Sequence, residues 1–393
     1  MGAYFFVAPA AFGAERVKRM QRKHILRIFT ALLFIIFMFL SIAYPAVIMQ
    51  SAQEGLRLWA TAVVPSLFPF LFAARALLEL GADRAAERIL GPVLAFLGFE
   101  PKGAFALAVS LLCGYPAGAK TLGDLAARGS VSPREGERLA MLCHTAGPLF
   151  VLGFASVVTG VNGGAMFGCH YGGVLCAACA VNALCTAVFR NDGRLCRKEG
   201  LKGEKERSEG EKEAQSGGKC RNTGLGAVLG NACGAAAGAC LAVGGFIVFF
   251  SCVSGLIKPY MPEAWRILEL SAGLEGLDLP RAAALVSFSG LCVIAQETAF
   301  LGEIRPKMLL LCRAAAGAFS LLLGLAAQAS PFLAAGAAAA VIAPCCVFVR
   351  FYGKKRGIRA HYGKERVEEA KGRACAGGHK NGKKTSKNGV FFA

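Results

Sequence analysis

Apolar and polar positions divide the chain into blocks, and most of the apolar blocks are long enough to cross a bilayer. Residues 28–49, IFTALLFIIFMFLSIAYPAVIM, form a 22-residue apolar segment preceded by Arg16, Lys18, Arg19, Arg22, Lys23 and Arg27. A cleaved signal has an apolar core of about 7–15 residues and a spanning helix needs about 20, so this segment predicts a signal-anchor helix. Met20 opens an ordinary basic lead-in, MQRKH, and residues 1–19 are expected to be a mis-called start. Further apolar segments fall at 62–81, 104–123, 145–160, 165–189, 225–257, 282–302, 307–328 and 331–350.

Several of these segments are interrupted. Pro65 and Pro69 predict a bend in the first. Segment 104–123 is broken at Gly114-Tyr115-Pro116, and segment 282–302 carries Ser287, Ser289, Gly290, Gln296 and Glu297. Irregular backbone and polar groups survive at membrane depth only when buried in protein or lining a wet cavity. Both are therefore candidate re-entrant hairpins. Gly230, Gly234 and Gly238 fall four apart, which predicts a helix face for close packing. Ser132-Pro133-Arg134-Glu135 predicts a capped surface helix, with Ser132 as cap and Glu135 completing the box.

Composition removes other classes. Hydrophobic residues make up 55% and charged residues 18% of the 393, against about 25% charged in an ordinary soluble domain. The net charge of +19 sits mainly at the ends, with +5 over residues 1–27, +10 over 350–393 and +2 in the loop 191–221. Such ends follow the positive-inside rule and the attraction of anionic headgroups. The tail lacks a folded basic face with aromatics, so no nucleic-acid partner is expected. Most of the 16 cysteines lie inside apolar runs, where free cysteine packs as a small hydrophobe. Cys176-Ala-Ala-Cys179 has no second pair at zinc-site spacing, so no metal is expected.

Two stretches, 89–120 and 267–296, run in parallel. Each has an amphipathic lead, a Pro followed by a basic residue (Pro101-Lys102, Pro280-Arg281), an Ala-rich run, and a polar, glycine-containing break. If the charged loop between them is cytoplasmic, the flanking spans cross in opposite directions, the inverted repeat of many secondary transporters. The predicted fold is an all-α polytopic membrane protein with about 7–9 transmembrane helices, an inverted repeat and two broken or re-entrant hairpins. Its expected parts are a basic N-terminal tail (1–27), a signal-anchor helix (28–49), a first repeat (50–190), a charged cytoplasmic linker (191–222), a second repeat (223–350) and a basic disordered tail (351–393).

With those motifs in view, the chain resembles the sporulation integral membrane protein family of the YlbJ type, which carries the nucleoside-recognition, or Gate, domain. The resemblance rests on Gly114-Tyr115-Pro116-Ala117-Gly118-Ala119-Lys120, on Gly147-Pro148-Leu149-Phe150 with Gly153, and on Phe288-Ser289-Gly290-Leu291 with Gln296. The chain departs from the family pattern at Ala146-Gly147 and at Cys292. The resemblance implies a multi-pass protein of the mother-cell or outer forespore membrane that moves dipicolinic acid toward the developing spore.

The residues themselves suit a small anion. Gly114 and Pro116 start a new half-helix whose Ala117, Gly118 and Ala119 amides, with the helix dipole, favour a carboxylate; Lys120 adds a full charge. Ser289, Gly290 and Gln296 offer neutral hydrogen bonds from the second break. Glu297, Glu269 and His144 are candidates for a coupling proton or sodium ion. No Walker motif and no nucleophile–base pair stands out, so neither a bound cofactor nor an enzyme is expected. A non-transporting assembly factor, a nucleoside transporter and a homo-oligomer stay open as alternatives.

Overall fold

The long apolar runs become long helices because a helix alone satisfies every backbone N–H and C=O within one segment in lipid. The computed structural model describes residues 8–188, 224–261 and 263–351. Seven helices among them are long and apolar enough to cross a membrane. In chain order the elements are α1 (Ala8–Ala43), α2 (Pro45–Glu79), α3 (Ala82–Phe96), α4 (Ala104–Cys113), α5 (Ala117–Ala127), α6 (Pro133–Leu139), α7 (Leu149–Thr159), α8 (Gly163–Val188), α9 (Leu225–Ile257), α10 (Leu279–Phe288), α11 (Gly290–Phe300), α12 (Lys307–Ala329) and α13 (Pro331–Phe351). No strand occurs among the described residues. The expected linker at 191–222 lies wholly outside the described residues, and the expected tail does so from 352 onward.

The expected anchor 28–49 is divided in the structure. Pro45 takes the first position of a new helix, as a residue without an N–H to donate can. The span after α1 therefore begins at Pro45 rather than near 62, and runs to Glu79. At 35 residues, or about 52 Å, α2 exceeds the bilayer, and it runs on through both Pro65 and Pro69. Pro65 cannot donate to the preceding turn, and the helix widens to a π-turn over Trp59–Val63.

α2 packs along α9 through small residues. A methyl on Gly55 would sit 2.8 Å from the Ser251 hydroxyl, and one on Gly244 would sit 2.7 Å from the Trp59 ring. Trp59 Nε1 donates to the Cys240 carbonyl at 2.8 Å. The predicted face at Gly230, Gly234 and Gly238 is a correction. Among the described residues, no atom outside the local helix backbone lies within 4 Å of a methyl placed on any of those glycines, and α9 packs instead through Val228, Ala232, Ala236 and Cys240.

Both interruptions are present, and they differ in kind. α4 and α5 fold back on one another around Gly114 (φ +81), which only glycine adopts cheaply. A methyl on Gly118 would meet the Ser110 hydroxyl at 2.7 Å and the Cys143 carbonyl at 2.9 Å, so this hairpin closes on hydrogen atoms alone. In the second repeat the break falls at Ser289 (φ +67) and Gly290 (φ +69), and its halves part company. α10 packs on α8 and α12, whereas α11 packs on α9 and α5. Each repeat nonetheless builds a ten-residue helix, α4 or α10, that opens close to its Pro–basic pair and ends at its break. Ser132 caps α6 with the predicted box, its side chain accepting from the Glu135 amide while Glu135 reaches back to Ser132 N–H.

Candidate substrate cavity and buried polar core

Where the two breaks approach, the chain runs without helix over 140–147, and its backbone groups must find partners in side chains or other segments. The Tyr115 amide donates to the Thr145 carbonyl at 2.7 Å, and the Tyr171 hydroxyl donates to the Ala146 carbonyl at 2.7 Å. Ala146 N–H donates to His170 Nε2 at 2.8 Å, which fixes the proton on Nδ1 and makes that atom the donor to Ser287 Oγ, 2.8 Å away. The Ser287 hydroxyl then meets Ser320 Oγ at 2.6 Å, and Ser320 donates to the Cys169 carbonyl at 3.0 Å. One buried chain of hydrogen bonds thus ties the irregular segment to α8, α10 and α12.

Beside it lies a cavity of about 210 Å³. One water needs about 10–15 Å³ in this measure, so the space suits a small organic molecule. α2 supplies Ser66 and Phe70, α7 supplies Phe150 and Phe154, and the hairpin supplies Tyr115 and Pro116. The second repeat supplies Glu269, Ser271, Cys292 and Gln296. The walls are thus aromatic and apolar, with a few polar groups at one side.

Of the sequence-predicted residues, Pro116, Gln296 and Glu269 reach the cavity wall. Gln296 Nε2 contacts Cys292 Sγ at 3.2 Å, so the residue that departs from the family pattern touches the predicted polar group. Glu269 caps the short turn Leu270–Gly273, accepting from the Ser271 and Ala272 amides at 3.1 and 2.7 Å. Burial pushes its carboxyl above the ordinary value, and those two amides pull it part of the way back.

The remaining candidates lie elsewhere. Lys120 is paired with Asp124 at 2.5 Å, with Arg75 on the same carboxylate at 3.2 Å, and it does not border the cavity. The Gly118 amide donates to the Gly114 carbonyl at 3.2 Å, and Ala117 and Ala119 are packed in the hydrophobic core. The start of α5 is therefore turned into protein and not toward the cavity. Gly114 shapes the hairpin, and Gly290 approaches the Ile267 carbonyl. Ser289 spends its hydroxyl on the Phe288 carbonyl at 2.5 Å.

Glu297 and His144 sit deeper, behind the cavity, and with them is a residue that the sequence reading missed. Arg313 of α12 is fully buried and pairs with Glu297 through Nη2, while Nη1 donates to the Phe288 carbonyl at 3.0 Å. Its guanidinium carbon lies 5.9 Å from the centre of the Tyr115 ring, which itself borders the cavity. His144 is fully buried near the carbonyls of Ala140 and Met141, but neither ring nitrogen forms a hydrogen bond. The signal for Arg313 was available: a lone cation inside the apolar run KMLLLCRAAAGAF is a functional hypothesis by itself.

Helices of bilayer length, broken helices meeting at a cavity and polar groups buried at that depth define a multi-pass integral membrane protein. The chain is 29% identical over 292 residues to the sporulation integral membrane protein YlbJ of Bacillus subtilis (strain 168), covering 72% of this chain and 70% of that one. No protein-family model and no solved structure matches the chain.

Proposed function

We propose that the protein is a secondary transporter of a small aromatic carboxylic acid, dipicolinic acid, carried from the mother cell toward the forespore. The observation that supports this best is the cavity between the two chain breaks, with its aromatic walls and one buried carboxylate. Tyr115, Phe150 and Phe154 contact one another, with ring centroids 6.4 and 5.3 Å apart, and together present an aromatic wall to a planar substrate ring, where offset or edge contacts add about 0.5–1.5 kcal/mol each beyond burial. Gln296 and Ser271 offer neutral hydrogen bonds. Burial pushes the Glu269 carboxyl above its ordinary value, and in its protonated form it donates a hydrogen bond to a substrate carboxylate without repelling it. Resemblance to a sporulation membrane protein supports the choice of dipicolinate.

A second reading has its own observation. Among the described residues, Glu269 is the one carboxylic acid on the cavity wall and no Lys or Arg borders it, an arrangement that suits an uncharged nucleoside. Uptake of labelled dipicolinate and labelled uridine into proteoliposomes, side by side, separates the two. Saturable dipicolinate flux blocked by unlabelled dipicolinate supports the first reading. Uridine flux alone establishes the second, and flux of neither points to a membrane assembly factor.

A further inference from the structure

The buried pair behind the cavity is poorly suited to a purely structural role. Replacing a buried ion pair by apolar residues of similar volume is often neutral or stabilising, because desolvation offsets the Coulombic gain. Here two polar atoms of the pair, Glu297 Oε1 and Arg313 Nε, also lack hydrogen-bond partners, as do both nitrogens of His144 nearby. Buried polar groups are nearly always satisfied, so a cluster of unpartnered ones marks a place where partners change. The pair also sits at a boundary. Arg313 holds the carbonyl of Phe288, the last residue before the second break, and faces the ring of Tyr115, the residue at the first. Tyr115 is common to both, since its side chain borders the cavity and its ring centre lies 5.9 Å from the guanidinium carbon.

Arg313 is the one buried Arg or Lys among the described residues. A dicarboxylate in the cavity has no other cation to meet, since Lys120 is committed to Asp124 outside it. Taking the transport of an aromatic carboxylate proposed above as given, we propose that Arg313 is the substrate-binding cation, with Glu297 holding its place in the ligand-free protein. Displacement of the Tyr115 ring opens the way between cavity and guanidinium. The substrate carboxylate then replaces the Glu297 carboxylate on Arg313, a fork-to-carboxylate geometry that suits either partner. Glu297, left without a counter-ion in a low-dielectric interior, binds one proton from solvent. The proton on Glu297 offsets the substrate carboxylate that meets Arg313, and the second carboxylate of the substrate stays in the cavity, where Glu269 and Gln296 line the wall. The other ionisable groups within electrostatic reach of the exchange are His144, His170, Cys143, Cys312, Tyr115 and, through Tyr115, Glu269.

Equilibrium binding of labelled dipicolinate to the purified full-length protein in detergent tests this. Glu297→Gln removes the competitor while keeping the shape, and is expected to tighten binding by about tenfold, a gain that damage to the fold does not produce. Arg313→Gln is expected to weaken binding by about thirtyfold or more. The double variant Glu297→Gln with Arg313→Gln carries a neutral pair in place of the ionic one. It keeps the weak binding of Arg313→Gln even if that single variant fails to fold. Weaker binding by Glu297→Gln, or wild-type affinity in the double variant, overturns the exchange and leaves the transporter reading standing. A wild-type protein that binds no dipicolinate overturns both.

Discussion

Replacing His170 by leucine removes the central link of the hydrogen-bond chain while nearly conserving volume, so its cost can be worked from the polar groups alone. His170 accepts from the Ala146 amide and donates to Ser287, each at 2.8 Å, and all three residues are fully buried. Two lost hydrogen bonds cost about 1 kcal/mol each in net terms, and the Ala146 N–H left unsatisfied adds about 1–3 kcal/mol. Interhelical bonds in membranes average nearer 0.6 kcal/mol, which brings the expected total to about 2–4 kcal/mol. The Ser287–Ser320 contact and the Ser320–Cys169 contact remain, so the spans stay docked and only the irregular segment is loosened. Denaturation by SDS in mixed micelles, followed by tryptophan emission, reads the difference. His170→Asn, which keeps an acceptor for the amide, is expected to recover part of it. A change below about 0.5 kcal/mol for His170→Leu would mean that the Ala146 amide has another partner, and that the segment is not held as described.

Three further outcomes follow from the same geometry. Gly114→Ala must place a side chain at φ +81 and within 2.7 Å of Gly147 Cα, backbone against backbone. A loss of at least about 3 kcal/mol is expected, seen as failure to accumulate in the membrane, whereas Gly234→Ala, at an open helical position of α9, accumulates normally. Arg138→Ala strips the buried Asn182 and the Gly98 carbonyl of donors at 2.7 and 2.6 Å, and is expected to cost about 2–4 kcal/mol in the same micelle assay. Dipicolinate uptake should rise as pH falls through the raised Glu269 value, because the protonated carboxyl is the form that donates to substrate. Glu269→Gln is expected to retain flux with that rise flattened, and an unchanged pH profile would remove Glu269 from recognition.

Interruptions were the most legible feature of the sequence. Gly114-Tyr115-Pro116 and Ser289-Gly290 stand out inside apolar runs, because glycine and proline carry their backbone consequences with them wherever they fall. The capping box at Ser132 is equally local, and it formed as written. Partnership across space was not legible. Lys120 and Asp124 are four apart on one helix, yet Arg75 joins them from α2, and only the fold shows that this cluster faces away from the cavity. The glycine spacing in α9 gave no hint of which face meets α2, since Gly55 and Gly244 make the contact while Gly234 meets nothing. Arg313 was visible as a lone charge, but its partner Glu297 lies on another helix, sixteen residues earlier.

The account rests on the cavity between the breaks, and filling it is the most direct test. Val293 lines it, nearly buried, and Val293→Trp would occupy much of its 210 Å³ without touching Glu269, Gln296 or Arg313 chemically. Saturable uptake of labelled dipicolinate should be lost in proteoliposomes carrying this variant, at a reconstituted protein level equal to wild type. Undiminished uptake through the filled cavity would contradict the account.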